Sequence, residues 1–158
     1  KLKAGIFGAE PWTEEMRQGI EKSLGIKAYD IYGLTETMDD SIIFHVDREM
    51  DESEPMPIGR SCEHMDFFLC DEDGQPTSPG EIGEICGRGP SLAAGYYKDA
   101  EKTARVFVRE QRNGYPEIVF RTGDLARLNT RGEMVYLGRK DFQIKHMGIV
   151  LAFLRNIR

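Results

Sequence analysis

Thr35 and Glu36 close the stretch of this sequence best equipped for chemistry. Asp30, Ile31, Tyr32, Gly33, Leu34, Thr35, Glu36 and Thr37 carry a short apolar strand out into an aromatic, a glycine, a hydroxyl and a carboxylate. That order suits a nucleotide. The aromatic face of Tyr32 can lie along a purine, and Gly33 lets backbone approach a phosphate with no Cβ in the way. The Thr35 hydroxyl can donate to a phosphate oxygen, and Glu36 offers a hard oxygen ligand of the kind Mg²⁺ accepts beside phosphates. Taken alone, the same residues read first as a strand ending in a glycine turn with two solvated polar residues.

The elements before this stretch would position it. Residues 3–7 form an apolar run ending in Gly8, Ala9, Glu10 and Pro11, which predicts a buried strand leaving a sheet. Thr13 can cap the following helix, Glu14 and Glu15 fall in its first turn, Met16, Ile20 and Leu24 make an apolar stripe, and Gly25 stops it. Residues 26–32 read as a second strand, so the unit is strand, helix, strand with parallel strands and a right-handed crossover. Ligands gather outside the carboxyl ends of strands in such sheets. Gly8, Ala9 and Glu10 are therefore expected on the same edge as Tyr32 to Glu36, although by themselves they read equally well as a plain loop.

Beyond residue 40 the pattern becomes that of short strands, at residues 41–46, 65–70, 81–86, 117–120 and 134–137. Residues 71–74 have the Asp-Gly chemistry of a tight turn, residues 129–132 form another turn, and residues 47–54 form an acidic surface loop. Residues 87–90 read as a glycine-broken loop without P-loop spacing. A helix is predicted from Asp99 or Ala100 through Val108, with Thr103 and Phe107 on one face, covering a sheet edge. The expected fold class is α/β: a parallel strand-helix-strand unit followed by a small, mostly antiparallel sheet or distorted barrel. Residues 1–38 would end the parallel subdomain, 39–139 form the β-rich subdomain, and 140–158 hold a hinge and tail.

Composition is that of an ordinary globular chain: 158 residues, 40% hydrophobic and 30% charged, enough for one core or for a piece of a larger domain. A net charge of -6 without a basic stripe argues against nucleic acid as partner, while leaving room for a nucleotide bound locally. Cys62, Cys70 and Cys86 have neither metal-ligand spacing nor an even count, and read as reduced thiols. His45, His64 and His146 share no ligand spacing. No apolar run reaches a spanning length and no signal peptide opens the chain, so a cytoplasmic setting with no membrane partner is expected. The chain opens on a strand without Met, which suggests sequence upstream.

Tyr32-Gly33-Leu34-Thr35-Glu36 resembles the core motif of adenylate-forming enzymes, the superfamily of acyl-CoA ligases, luciferases and peptide-synthetase adenylation domains. Phe120-Arg121-Thr122-Gly123-Asp124 and Gly138-Arg139-Lys140-Asp141 resemble that family's next two motifs, in the same order; Phe120 stands where the family more often has tyrosine. The match looks mosaic. Residues 3–36, with Gly5-Ile6-Phe7-Gly8-Ala9-Glu10-Pro11-Trp12, are similar to phenylacetate-CoA ligases, and residues 40–148, with Gly83-Glu84-Ile85-Cys86-Gly87-Arg88-Gly89-Pro90-Ser91-Leu92-Ala93-Ala94-Gly95-Tyr96-Tyr97, look more like amino-acid adenylation domains.

The resemblance implies part of the large domain of such an enzyme, using ATP (leaving AMP on the acyl group) and Mg²⁺. A carboxylic or amino acid would be activated, and the thiol of CoA or of carrier-protein pantetheine would accept it. It implies that Gly8, Ala9 and Glu10 border the acyl-adenylate, that Asp30, Ile31, Tyr32 and Gly33 line the nucleotide, and that Thr35 contacts the α-phosphate. Glu36 would hold magnesium, Asp124 would take both ribose hydroxyls, Arg139 would reach ribose or phosphate, and Lys140 with Asp141 would form the hinge. Thr35 and Glu36 would thus be the catalytic pair. The family's Ser/Thr/Gly-rich phosphate loop and its C-terminal lysine domain are not among these residues, and residues 149–158 depart from the family pattern, so a fragment inactive by itself is expected. The alternative is a non-catalytic interaction or regulatory module that kept the fold, recruiting a partner through an exposed sheet edge or the apolar tail.

Overall fold

Local chemistry decides the first helix. The computed structural model describes residues 2–8, 11–45, 50, 55–112, 114–140, 143–146 and 149–152, the backbone alone at 39–41, 45, 112, 143–146 and 149–152. Helix α1 (Glu14–Leu24) starts where Thr13 Oγ1 accepts the Met16 N–H at 3.2 Å. It ends where Gly25, at a left-handed φ of 63°, turns its N–H onto the Glu21 carbonyl at 2.8 Å. The expected apolar stripe is not what the helix buries: Met16 and Leu24 are exposed, and the buried side chains are Glu14 and Arg17. Arg17 forks onto Glu14 at 2.7 and 2.5 Å and reaches Glu21 at 2.5 Å. The other Glu21 oxygen accepts the Ala28 N–H at 2.9 Å, so a chain of ion pairs ties this helix to the next strand.

Strands β1 (Ala4–Gly8) and β2 (Lys27–Leu34) pair in parallel, with Gly8 beside Ile31. β3 (Asp39–His45) and β4 (Arg60–Ser61) extend this sheet antiparallel in the order β1-β2-β3-β4. The strand expected to be buried at the start of the chain is instead an edge strand, with Ile6 62% exposed, because among the described residues it has a hydrogen-bonded neighbour on one side only. A second sheet uses β5 (Asp66–Cys70), β6 (Ile82–Arg88), β7 (Phe107–Arg112), β8 (Tyr115–Leu128) and β9 (Met134–Arg139), in the order β5-β6-β8-β7 with β9 also pairing β8. Every pairing within it is antiparallel. β10 (Gln143–His146) and β11 (Ile149–Ala152) form an antiparallel hairpin.

Two expectations are corrected in this region. Helix α2 (Ala100–Val106), capped by Asp99 at the Lys102 N–H, stops two residues early, and Phe107 and Val108 open β7. The reason is pairing: Phe107 lies opposite Phe120 and Val108 opposite Val119, each an apolar cross-strand pair that a further helical turn would forfeit. Gly87 and Arg88, read as a loop, continue β6, opposite Phe67 and Asp66 of β5. Arg88 stays in the ladder because its guanidinium pairs with Asp66 at 2.7 Å and with Glu117. The turn at residues 71–74 forms as expected, with Gly74 at φ 79°.

Both sheets contribute to one core. Ile42 of β3, Phe67 and Leu69 of β5, Ile85 of β6, Ala126 of β8 and Met134 of β9 pack together with Ile58 and Met65 of the connecting segments, and Tyr32, Leu92, Leu128 and Tyr136 close over them. The sheets are joined by backbone: the Ile58 N–H donates to the Met134 carbonyl at 2.8 Å and the Met134 N–H to the Gly59 carbonyl at 2.9 Å. Cys70 and Cys86, not joined in a disulfide, lie in a separate buried cluster with Val119. A hydrogen bond with Cys70 and burial push the Cys86 thiol far above its ordinary value. Among the described residues no helix is long and apolar enough to cross a membrane.

Candidate functional site

The site grows from β8. The strand expected at residues 117–120 is longer than its apolar run, so Asp124 lies inside the 14-residue strand and is only 4% exposed. The strand passes through the Thr122-Gly123-Asp124 motif because Gly123 takes φ 77°, open to glycine without strain, and a register shift at Leu125 and Ala126 absorbs the distortion. A Cβ at Gly123 would also come within 2.8 Å of the Arg139 guanidinium. The motif glycine therefore makes room for the motif arginine.

Asp124 is fixed from several directions. The Tyr32 hydroxyl on β2 donates to its Oδ2 at 2.5 Å, and Arg139, its cross-strand partner on β9, donates Nη1 to Oδ1 at 3.3 Å. The same Arg139 nitrogen donates to the Thr122 carbonyl at 3.1 Å. Thr122 Oγ1 accepts the Asp124 N–H at 3.0 Å and donates to the Ile85 carbonyl at 2.7 Å. Below it, buried Glu84 accepts the Gly123 N–H at 2.9 Å and Arg121 Nε at 3.0 Å. Each Asp124 oxygen has a protein donor, and a carboxylate has acceptor sites beyond those two bonds. Burial, then the Asp124 charge, pushes the Tyr32 phenol well above its ordinary value, so it stays a neutral donor.

Asp30 lies two residues before Tyr32 on β2, on the same face of the sheet. It is 7% exposed, and burial pushes its carboxyl up to about 6, with the Ile31 backbone N–H pulling the other way. Ile31 is half-buried, and Gly33 sits at the bulge where pairing with β3 shifts after Tyr32.

Thr35 and Glu36 occupy a short 3₁₀ turn (Thr35–Thr37) that follows β2 directly. Thr37 Oγ1 anchors the turn by donating to the Leu34 carbonyl at 3.0 Å, and Thr35 is exposed. Glu36 is gripped by a distant segment: the Tyr96 hydroxyl donates to its Oε1, and the Ala93 N–H donates to its carbonyl at 2.8 Å. Burial, then the hydrogen bond to Glu36, pushes the Tyr96 phenol above its ordinary value, so it stays a neutral donor. Gly8 is exposed at the carboxyl end of β1. Lys140 is exposed, with its N–H on the Gly123 carbonyl at 2.8 Å. Ala9, Glu10 and Asp141 lie outside the described residues.

Tyr32 and Arg139, far apart in sequence, thus both contact Asp124, while Glu36 is held separately by Tyr96. Sequence reasoning missed three supporting residues: Tyr96, Thr122 and Glu84. Tyr96 and Thr122 stood inside quoted motifs and Glu84 inside a predicted strand, but only the contacts of the fold show that Tyr96 meets Glu36 and that Thr122 and Glu84 meet Asp124 and Gly123. An open cavity of about 800 Å³, lined by residues including His64, Arg88, Leu92 and Phe107, contains none of the predicted site residues.

A parallel β1-α1-β2 unit running into an antiparallel sheet, with a buried carboxylate between them, has known counterparts. The model of the AMP-binding enzyme family matches residues 1–97, and the chain belongs to this family of adenylate-forming enzymes. It is 35% identical over 142 residues to the D-alanine–D-alanyl carrier protein ligase of Streptococcus pyogenes serotype M3, covering 89% of this chain and 27% of that protein. It is 32% identical over 150 residues to tyrocidine synthase 3 of Brevibacillus parabrevis, covering 93% of this chain and 2% of that protein. Among solved structures, an NRPS protein containing adenylation and PCP domains superposes with a TM-score of 0.84 at 30% identity, over 95% of this chain and 31% of that one. The chain therefore spans about a quarter of the carrier protein ligase and a far smaller share of tyrocidine synthase 3. These matches run through both parts of the apparent mosaic.

Proposed function

We propose that these residues supply the adenine, ribose and magnesium side of the adenylate site of a ligase that activates a carboxylic or amino acid with ATP and passes it to a thiol. The observation that carries this reading is the buried Asp124 carboxylate, held by Tyr32 and Arg139 in a member of the AMP-binding enzyme family. Asp124 accepts the ribose hydroxyls through its further acceptor sites, and Arg139 reaches ribose or phosphate. Asp30, Ile31, Tyr32 and Gly33 line the nucleotide, and Gly8, Ala9 and Glu10 border the acyl group. Thr35, exposed at the start of its turn, donates to the α-phosphate, and Lys140 with Asp141 forms a hinge.

Glu36 fits a magnesium ion that is shared with phosphates. Among the described residues no group of three or more His, Cys, Asp or Glu side chains gathers to hold a metal. Mg²⁺ beside phosphates needs only one or two carboxylates, with phosphate oxygens and waters completing the octahedron. When bound, the ion would neutralise charge developing on the phosphates.

The relatives favour a carrier-protein thiol over CoA as acceptor, since one is a carrier protein ligase and the aligned structure contains a PCP domain. The residues assigned above make up the adenine, ribose and magnesium side of the site alone, so on this reading they bind nucleotide by themselves without turning it over. One observation favours the alternative of an interaction module, the exposed edge strand β1. Calorimetric titration of AMP into the parent and Asp124→Asn chains separates the two. The ligase reading predicts at least about a tenfold loss of affinity, from charge-assisted hydrogen bonds of roughly 1.5–3 kcal/mol each. Equal affinity would leave the interaction module as the better account.

A further inference from the structure

We propose that Tyr96 is a positioning residue that sets the direction of the Glu36 carboxylate toward a metal-bound nucleotide. The inference rests on the reading of Glu36 as the metal carboxylate. Glu36 sits on a single 3₁₀ turn, and nothing in that turn's own backbone fixes where its side chain points. The partner comes from 60 residues further on, where the Tyr96 hydroxyl donates to Oε1. A donor on one oxygen leaves Oε2 and the remaining lone pair of Oε1 as the acceptors open to a cation.

The segment that delivers Tyr96 is itself built for placement. Its Ala93 N–H holds the Glu36 carbonyl at 2.8 Å, so one loop grips the residue at both main chain and side chain. The Tyr96 N–H donates to Thr103 Oγ1 at 2.9 Å, and that hydroxyl donates to the Asp99 carbonyl at 2.7 Å, fixing the loop to the start of α2. Gly95, at φ 131°, passes so close to Thr103 that a Cβ would collide with its side chain. The ring of Tyr96 lies 3.9 Å from the Lys102 ammonium and edge-on to Phe107 with centroids 6.1 Å apart. Ring, backbone and hydroxyl are therefore all constrained. A tyrosine that only filled space would need the ring contacts alone.

The test uses the whole 158-residue chain with Mn²⁺·ATP as probe, its dissociation constant read from enhancement of water-proton relaxation, and with metal-free AMP by calorimetry. Tyr96→Phe keeps the ring and removes only the hydroxyl. It is expected to weaken Mn²⁺·ATP about ten- to a hundredfold, as loss of a partner that orients a metal-ligating carboxylate does, while AMP affinity stays within about twofold. In a Glu36→Gln background the same change should cost nothing further. A Tyr96→Phe effect equal for both ligands, or one that persists undiminished in the Glu36→Gln background, would overturn the proposal and leave Tyr96 a packing residue. If Glu36→Gln binds Mn²⁺·ATP as the parent does, or the parent binds neither probe, the metal reading of Glu36 falls and the proposal falls with it. If Glu36→Gln weakens the complex and Tyr96→Phe does not, the Tyr96 proposal falls alone.

Discussion

Replacing Asp124 by alanine should cost far more stability than the loss of a surface carboxylate, and the contacts allow the cost to be worked out. The side chain is 4% exposed and accepts from the Tyr32 hydroxyl at 2.5 Å and from Arg139 at 3.3 Å. Truncation leaves a buried phenol hydroxyl without its acceptor, about 1–3 kcal/mol, and removes the countercharge of Arg139. Breaking one partner out of a buried pair typically totals about 3–5 kcal/mol. Tyr32→Phe removes only a hydrogen bond to a charged group, roughly 1.5–3 kcal/mol, because Asp124 keeps Arg139. With both changes the orphaned hydroxyl disappears, so the double variant should be more stable than the sum of the singles predicts, by about 1–3 kcal/mol. Urea unfolding of the four proteins gives the cycle. Additivity within about 0.5 kcal/mol, or an Asp124→Ala cost below about 1 kcal/mol, would refute the argument that these residues form one buried network.

Asp30 gives the chain a pH-dependent stability of a definite sign. Its folded carboxyl is raised by burial to about 6 from an ordinary value of 3.8, so the folded state holds the proton more tightly than the unfolded. The contribution is present below about pH 4 and is lost as pH rises to about 6, a fall on the order of 3 kcal/mol. Asp30→Asn should flatten that part of the stability profile, measured by urea unfolding across the acid range from about pH 4 to about pH 7; a profile unchanged by the substitution would remove Asp30 as its cause. The isolated chain with ATP, Mg²⁺ and a panel of amino and aromatic acids should show no pyrophosphate exchange. Exchange at a rate comparable to a complete ligase would contradict the proposal that these residues bind nucleotide without turning it over by themselves.

The parts of the fold that were legible in the sequence are those decided by local chemistry. Thr13 and Gly25 mark the ends of α1 because a cap and a left-handed residue act on their own turn. The parallel pairing of β1 with β2 follows from a strand, a helix and a strand in succession. What was not legible depends on distant partners. The polar burial of α1 comes from Glu21 reaching Ala28, a bond that helical periodicity does not contain. β7, with Arg109, Glu110, Gln111 and Arg112, lacks an apolar alternation and exists because β8 offers it a ladder. Thr122 and Gly123 look like turn residues, yet the strand continues through them because the β6 and β9 ladders flank it. The site divides the same way: the motifs named Tyr32, Asp124 and Arg139 through resemblance, whereas Tyr96 and Glu84 became visible only through contacts across 60 and 39 residues.

The central claim is that the Asp124 carboxylate reads the ribose of an adenine nucleotide. Calorimetric titration of the parent chain with AMP and with 2′,3′-dideoxy-AMP tests it most directly, because the two ligands differ only in the hydroxyls assigned to Asp124. The account predicts AMP binding at least about tenfold tighter than the dideoxy analogue, from charge-assisted hydrogen bonds of roughly 1.5–3 kcal/mol each. Equal binding of the two ligands, or binding of neither, would contradict it.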